Sequence, residues 1–134
     1  MPTRHLTAAE VIAIQQRILE RMGMPHLALR DEAALQSAVA RPRMAEFYDG
    51  ADLIRKATIL VIGLSQAQAF VDGNKRVALV AADLFLVVNG LTLIGEPLEL
   101  AKLISRIAAP DDQRAVSALR LEPWLRDNVR PMLD

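Results

Sequence analysis

Between two apolar runs, ATILVIGL at residues 57–64 and VALVAADLFLVV at residues 77–88, the chain carries the string AQAFVDGNKR. Both runs are apolar almost all round, which predicts two central, buried helices. Asp72, Lys75 and Arg76 therefore lie beside the middle of a fold. Charges there are costly unless they are paired, solvated in a cleft or given a ligand. The order of residues says what ligand. Gly73 lets the backbone turn without a Cβ clash. Asn74 and the residues after it open a helix whose first N–H groups have no internal partner. Those donors, with the helix dipole, favour an anion. Lys75 and Arg76 put two more positive charges at the same end, where cations are locally unfavourable. Negative charge must arrive from elsewhere, and a polyphosphate would supply it. Asp72, one residue before the turn, could hold a magnesium ion on that polyphosphate. Phe70 is predicted to pack inward and anchor the loop. An ordinary helix–helix connection with a solvated charge cluster is the competing account. It would win for Asp-Gly-Asn alone; the whole string between two buried helices favours the ligand site.

The elements that must position this loop read as follows. Thr7 and Glu10 form a capping box, opening a helix with Val11, Ile14, Ile18, Leu19 and Met22 on one face and Gly23 at its end. Asp31 caps a second helix through Ala40, which Arg41-Pro42-Arg43 is expected to stop. Residues 44–52, with Phe47, Tyr48 and the turn signal Asp49-Gly50, read as a short flap or loop. A third helix spans Asp52 to Gln68, and a fourth runs from Asn74 to Asn89-Gly90. Leu91 to Ile94 could form a short strand. Leu98 to Ala108 form a fifth helix. Asp111 or Asp112 caps a last one running towards Trp124 and Val129, with Pro123 as a local break. Arg41 and Arg43 read as a solvated basic turn, Trp124 as a core or rim residue, and His26 as a loop residue. Asp83 is assigned no function.

Composition bounds the answer. The 134 residues are 52% hydrophobic but only 4% aromatic, so one core of Leu, Ile, Val and Ala is expected, in a single domain over residues 1–134. Sixteen Lys plus Arg balance sixteen Asp plus Glu. A direct nucleic-acid partner is not expected without a basic excess. The absence of cysteine excludes disulfides, thiol nucleophiles and Cys-based zinc sites. His5 and His26 lie far from any metal-ligand spacing. Residues 1–10 do not read as a signal peptide, and the longest apolar stretch is too short to span a bilayer. A cytoplasmic protein with no membrane partner is the expectation.

FVDGNKR resembles the core of the Fic/Doc signature, His-x-Phe-x-Asp/Glu-Gly-Asn-Gly/Lys-Arg. HLTAAEVIAIQQRI, LRDEAALQSAVARPR and ALVAADLFLVVNG also look like the Doc (death-on-curing) branch. The resemblance covers nearly the whole chain. It implies an all-α Fic/Doc-type bundle of about six helices with a small flap or short β element beside the active-site loop. It implies ATP and Mg²⁺ as cofactors, with Asp72 on the metal, Phe70 as anchor, Gly73 and Asn74 in the phosphate-cradling segment, and Arg76 on the nucleotide phosphates. Lys75 distinguishes the branch. Adenylyl-transferring relatives carry glycine there; Doc proteins carry lysine and transfer a phosphoryl group to elongation factor Tu. A bulky cation in that space would force ATP to bind in the opposite sense, with its γ-phosphate towards the target hydroxyl. Leu79 points the same way, because adenylyl transferases usually place a second arginine there. A Phd-like antitoxin, supplying a disordered segment that folds into a groove, is the implied partner.

One position departs from the pattern. Gln68 stands where the family has its histidine, the general base for the attacking hydroxyl. A carboxamide has no useful pKa near neutrality, and losing a positioned base costs about 10²–10⁴ in rate. Neither His5 nor His26 can take its place by a shift of register. Ala69, often proline in the family, and Val77, often threonine, depart more mildly. Three accounts are consistent with Gln68: a natural pseudoenzyme that still binds nucleotide or antitoxin, a weak kinase relying on positioning and electrostatics, or an introduced substitution that lets a toxic protein be produced. A phosphotransferase impaired at Gln68 is the leading reading, a noncatalytic binding module the second, and an adenylyltransferase the third.

Overall fold

The computed structural model describes residues 2–110 and 113–133. Six α-helices and one two-stranded sheet are found among them, the expected all-α bundle with a short β element. Helix α1 (Ala8–Arg21) starts on the expected capping box. The Glu10 N–H donates to Thr7 Oγ1 at 3.1 Å, and the Thr7 N–H donates back to Glu10 Oε1 at 3.0 Å. The Thr7 N–H, assisted by Arg4, holds the Glu10 carboxyl below its ordinary range. Met22 caps the other end, and Gly23 follows with a φ of +70°.

Helix α2 (Glu32–Asp49) starts on Asp31, as expected, but runs straight through Pro42 to a left-handed cap at Gly50. The stop at Arg41-Pro42-Arg43 and the loop over 44–52 are therefore corrected. An interior proline costs about 3 kcal/mol in an isolated helix. Here the cost is offset by burial. Leu35, Ala38 and Pro42 lie on one face and are all buried. That face packs on α3 (Leu53–Ala67) so closely that a Cβ on Gly63 would sit 3.3 Å from Ala38 Cβ. Beyond the proline, Glu46 fastens the helix to Lys56 of α3 at 2.6 Å and to His5 at 3.2 Å. The expected basic turn is thus a solvated helical face, with Arg41 and Arg43 both exposed.

Helix α3 starts on Asp52, whose Oδ1 accepts the Arg55 N–H at 2.9 Å. Its residues Ala57, Leu60, Val61 and Leu64 are buried, as are Val77, Ala78, Ala81, Ala82, Phe85 and Leu86 of α4 (Asn74–Val88). The outer face of α4 is not covered: Val80 is 41% and Val87 40% exposed, with Asp83 between them. Of the two apolar helices only α3 is as central as the sequence implied. The chain then forms β1 (Leu91–Leu93), which pairs antiparallel with β2 (Val129–Pro131) in the register Leu93↔Val129 and Leu91↔Pro131. The partner strand had no sequence signal. Helix α5 (Pro97–Ala108) carries its proline at the first turn, where no N–H is needed. Helix α6 (Gln113–Asn128) continues through Pro123 rather than breaking. Pro123 frees the carbonyl of Leu119, an exposed residue where water can satisfy it, while Leu121 and Leu125 on either side of the proline are fully buried. The cap expected at Asp111 or Asp112 lies outside the described residues. Trp124 is half-buried and donates to Glu99 Oε2 at 2.9 Å, a rim position as expected. Buried side chains from all six helices and Val129 form one contiguous cluster.

Candidate functional site

Helix α3 ends at Ala67 because Gln68 takes the left-handed conformation, φ 50° and ψ 41°. Among the described residues it is the one non-glycine with positive φ. Such a backbone costs roughly 1–2 kcal/mol for an L-residue and persists only where its surroundings enforce it. Several bonds do so. Gln68 Nε2 donates to the Ser65 carbonyl at 3.2 Å. The carbonyl of the next residue, Ala69, accepts two N–H groups, from Arg30 at 2.7 Å and Asp31 at 3.0 Å. Phe70 is buried, 3% exposed, and forms an antiparallel bridge with Leu29. The inward packing expected of Phe70 is observed.

Asn74 closes the loop. Its side-chain Nδ2 donates to the Phe70 carbonyl at 2.8 Å, and its Oδ1 accepts the Phe70 N–H at 3.0 Å. Nδ2 also lies 3.5 Å from Gln68 Oε1. Asn74 thus spends its carboxamide on holding the loop, and what it can offer a ligand is its backbone N–H. Gly73, at φ 84°, precedes α4 and supplies no side-chain cap. Asp72 is exposed and accepts the Gly73 N–H at 2.7 Å. Among the described residues the N–H groups of Asn74, Lys75 and Arg76 meet no protein acceptor; the first closed bond of the helix is Val77 N–H to the Gly73 carbonyl at 2.9 Å.

These residues surround a cavity of about 430 Å³, floored by Gln68 and residues 71–76 and walled by Ile18, Leu19 and Met22 of α1. Lys75 and Arg76 are exposed, and neither appears in an ion pair among the described residues. Arg76 Nη1 instead donates to Met22 Sδ at 3.1 Å. The cavity is therefore electropositive, with oriented donors at its base. Among the described residues no three His, Asp or Glu side chains cluster as a metal-ligand set. Gln68 and Lys75 also line a second cavity of about 500 Å³ on the other side of the loop, bounded by Ser105, Ala108, Ala109, Pro110 and Arg114.

All seven residues singled out in the sequence, Gln68, Phe70, Asp72, Gly73, Asn74, Lys75 and Arg76, lie in this one loop and helix start. The segment beside them is not the one expected. Tyr48 and Asp49 belong to the last turn of α2, which begins beside Ala69 and ends beside Lys56 at the far end of α3. Leu29 and Arg30 lie beside the loop instead, through the Leu29–Phe70 bridge and the Arg30 N–H to the Ala69 carbonyl. The wall from α1 was not foreseen either. Its signal was present in the amphipathic spacing of Ile18, Leu19 and Met22, which does not say what the face packs against.

A family model described as Fic/DOC family matches residues 5–86, more than half of the chain and all of the loop. A curated protein named Toxin Doc, from Mycolicibacterium smegmatis, is 42% identical over 74 residues, which is 52% of this chain and 55% of that protein. The match thus spans about half the length of that relative. This chain belongs to the Fic/DOC family.

Proposed function

We propose that the chain is a Doc-like toxin of a toxin–antitoxin module, an ATP-dependent phosphotransferase scaffold that acts on elongation factor Tu to block translation, with its rate limited by Gln68. One observation carries the nucleotide reading: three N–H groups and two cations that have no protein partner among the described residues line the cavity at the start of α4. The residues fit ATP with magnesium. The N–H groups of Asn74, Lys75 and Arg76 would receive phosphate oxygens, and the Arg76 guanidinium would add paired donors. Asp72, with one carboxylate oxygen engaged by Gly73, retains lone pairs for a metal whose other ligands come from phosphate and water. Bound magnesium would supply charge neutralisation at the transferring phosphoryl group. Lys75 lies between the two cavities, where its ammonium would set which phosphate faces the acceptor hydroxyl.

Gln68 governs the rate. Its carboxamide bonds to Ser65 and lies against Asn74, so it orients the loop but accepts no proton from a hydroxyl. The remaining rate comes from positioning and charge. The experiment compares this chain with Gln68→His, using elongation factor Tu and ATP labelled at either the α or the γ phosphate. Transfer of γ label, raised about 10²–10⁴-fold by the histidine, is the expected result. Transfer of α label would mean adenylylation, and binding without transfer by either protein would leave a noncatalytic module. The second reading rests on Gln68 alone.

The partner reading is supported by a groove of about 440 Å³ between α1 and α4. Its floor holds Ile14, Ile18, Val80 and Leu84, and Arg17 and Arg21 stand on its rim. An acidic, amphipathic segment of a Phd-like antitoxin, folding as it docks, would cover the apolar α4 face and pair with those arginines. Ile18 lines both this groove and the loop cavity, so an occupant of one adjoins the other. Val80→Asp is expected to abolish neutralisation by the antitoxin in a co-expression assay while toxin stays folded.

A further inference from the structure

Met22, in the cavity wall, touches an ionic group of the loop. Its sulfur lies 3.1 Å from Arg76 Nη1, and the side chain is 47% exposed. A thioether is a weak acceptor, so in the reduced protein this contact positions the guanidinium without holding it. Oxidation changes that. A sulfoxide oxygen is a polar acceptor on the same flexible stem, and exposed methionines are the ones that peroxide reaches. We infer that Met22 is a modification site: its sulfoxide captures the Arg76 guanidinium and withdraws it from an incoming phosphate. In the chemical step the sulfur lone pair attacks one peroxide oxygen, the O–O bond breaks as the S–O bond forms, and the other oxygen takes up the first oxygen's proton and leaves as water. Sulfur gives up two electrons and the peroxide accepts them. A methionine sulfoxide reductase would reverse the change. The inference rests on the reading of Arg76 as a phosphate contact.

Met44, at 54% exposure, and Met132, at 46%, are as accessible as Met22, which supplies internal controls. The full chain is treated with hydrogen peroxide, each methionine is scored by peptide mass mapping, and ATP–Mg²⁺ affinity is measured by calorimetry before and after. The expected result is that treated protein binds about tenfold more weakly, the loss of one charge-assisted bond. Treated Met22→Leu is expected to bind like its own untreated sample, and reduction by the sulfoxide reductase to restore the untreated affinity of the unmutated chain. Unchanged affinity with Met22 fully oxidised would overturn the proposal. So would an equal loss in treated Met22→Leu, or a Met22 that resists peroxide while Met44 and Met132 react. If the untreated chain binds no ATP at all, the phosphate reading fails first and takes the inference with it, so the two failures are told apart.

Discussion

Helices α3 and α4 begin alike and are treated in opposite ways. Each is a long apolar helix with two adjacent cations in its first turns, Arg55-Lys56 in one and Lys75-Arg76 in the other. Cations oppose the helix dipole at this end, so each pair needs compensation. In α3 it is built in. Asp52 caps the helix and takes Arg126 in two bonds at 3.0 and 3.2 Å; Glu122 lies 3.2 Å from Arg55; Glu46 lies 2.6 Å from Lys56, whose ammonium also donates to Thr3. In α4 none of this is present among the described residues. The cap is a glycine, the N–H groups are open, and the cations face a cavity. One sequence thus contains both the rule and its exception. On the proposed reading, the charge missing from α4 is the one a nucleotide would supply.

The comparison breaks most visibly at Arg76 and Arg55. Arg76→Ala is expected to weaken ATP–Mg²⁺ about tenfold or more by calorimetry, because a charge-assisted bond to phosphate contributes roughly 1.5–3 kcal/mol. Arg55→Ala, the matching change in α3, is expected to leave nucleotide affinity alone. Equal effects from both would show that α4 is not special. Asn74→Ala comes next. It removes both bonds to Phe70 and the support for the strained Gln68 backbone, so affinity should fall several-fold and thermal stability should fall as well. Arg76→Ala should lower affinity without that loss of stability. Melting temperature with and without saturating ATP separates the two, since a ligand that binds the folded state raises it by mass action.

What could be read from sequence follows from how local each cause is. Thr7 with Glu10, Asp31, Asp52 and Gly73 act on their own neighbours, and all sit at the helix ends they predicted. The FVDGNKR loop was legible for the same reason, as a run of residues joined by short-range bonds. Pro42 and Pro123 were misread because their local penalty is outweighed by distant partners, the α3 face for one and the buried Leu121 and Leu125 neighbourhood for the other. Strand β2 was invisible since it is paired only by a segment some forty residues earlier. Tyr48 reads as part of a short flap or loop because the Asp49-Gly50 turn signal lies beside it. Once α2 runs through its proline, that residue is carried to the opposite end of α3.

The compensated end can be tested by its own titration. Lys56, assisted by His5 and Thr3, holds the Glu46 carboxyl down at about 2, from an ordinary 4.5. A carboxylate whose folded pKa is depressed contributes its full stability above the unfolded value and loses it as pH falls through the folded one. Glu46→Gln is therefore expected to destabilise the protein at pH 7, and the difference from the unmutated chain should shrink between about pH 4.5 and pH 2. Lys56 is only 3% exposed. Removing its partner leaves a buried cation unpaired, whereas Lys56→Met removes the charge and keeps the volume. Glu46→Ala should accordingly lower the melting temperature more than Lys56→Met does.

The smallest effect sharpens the contrast most. Asp52 has two roles, a cap for the Arg55 N–H and a bidentate seat for Arg126. Arg126, followed by the Arg55 N–H, holds its carboxyl below the ordinary range. Asp52→Asn keeps a capping oxygen and loses the charge, and its cost should be that of an exposed ion pair, about 0.2–1 kcal/mol. Asp52→Ala loses both and should cost about 1 kcal/mol more. A carboxylate placed at the equivalent cap of α4, Gly73→Asp, would put a negative charge where α3 has one, in a left-handed backbone that aspartate tolerates better than most residues. Competition with phosphate for the same N–H groups should then weaken ATP binding even though the helix start is better compensated. A variant that bound ATP undiminished would mean that the open donors of α4 are not what receives the nucleotide.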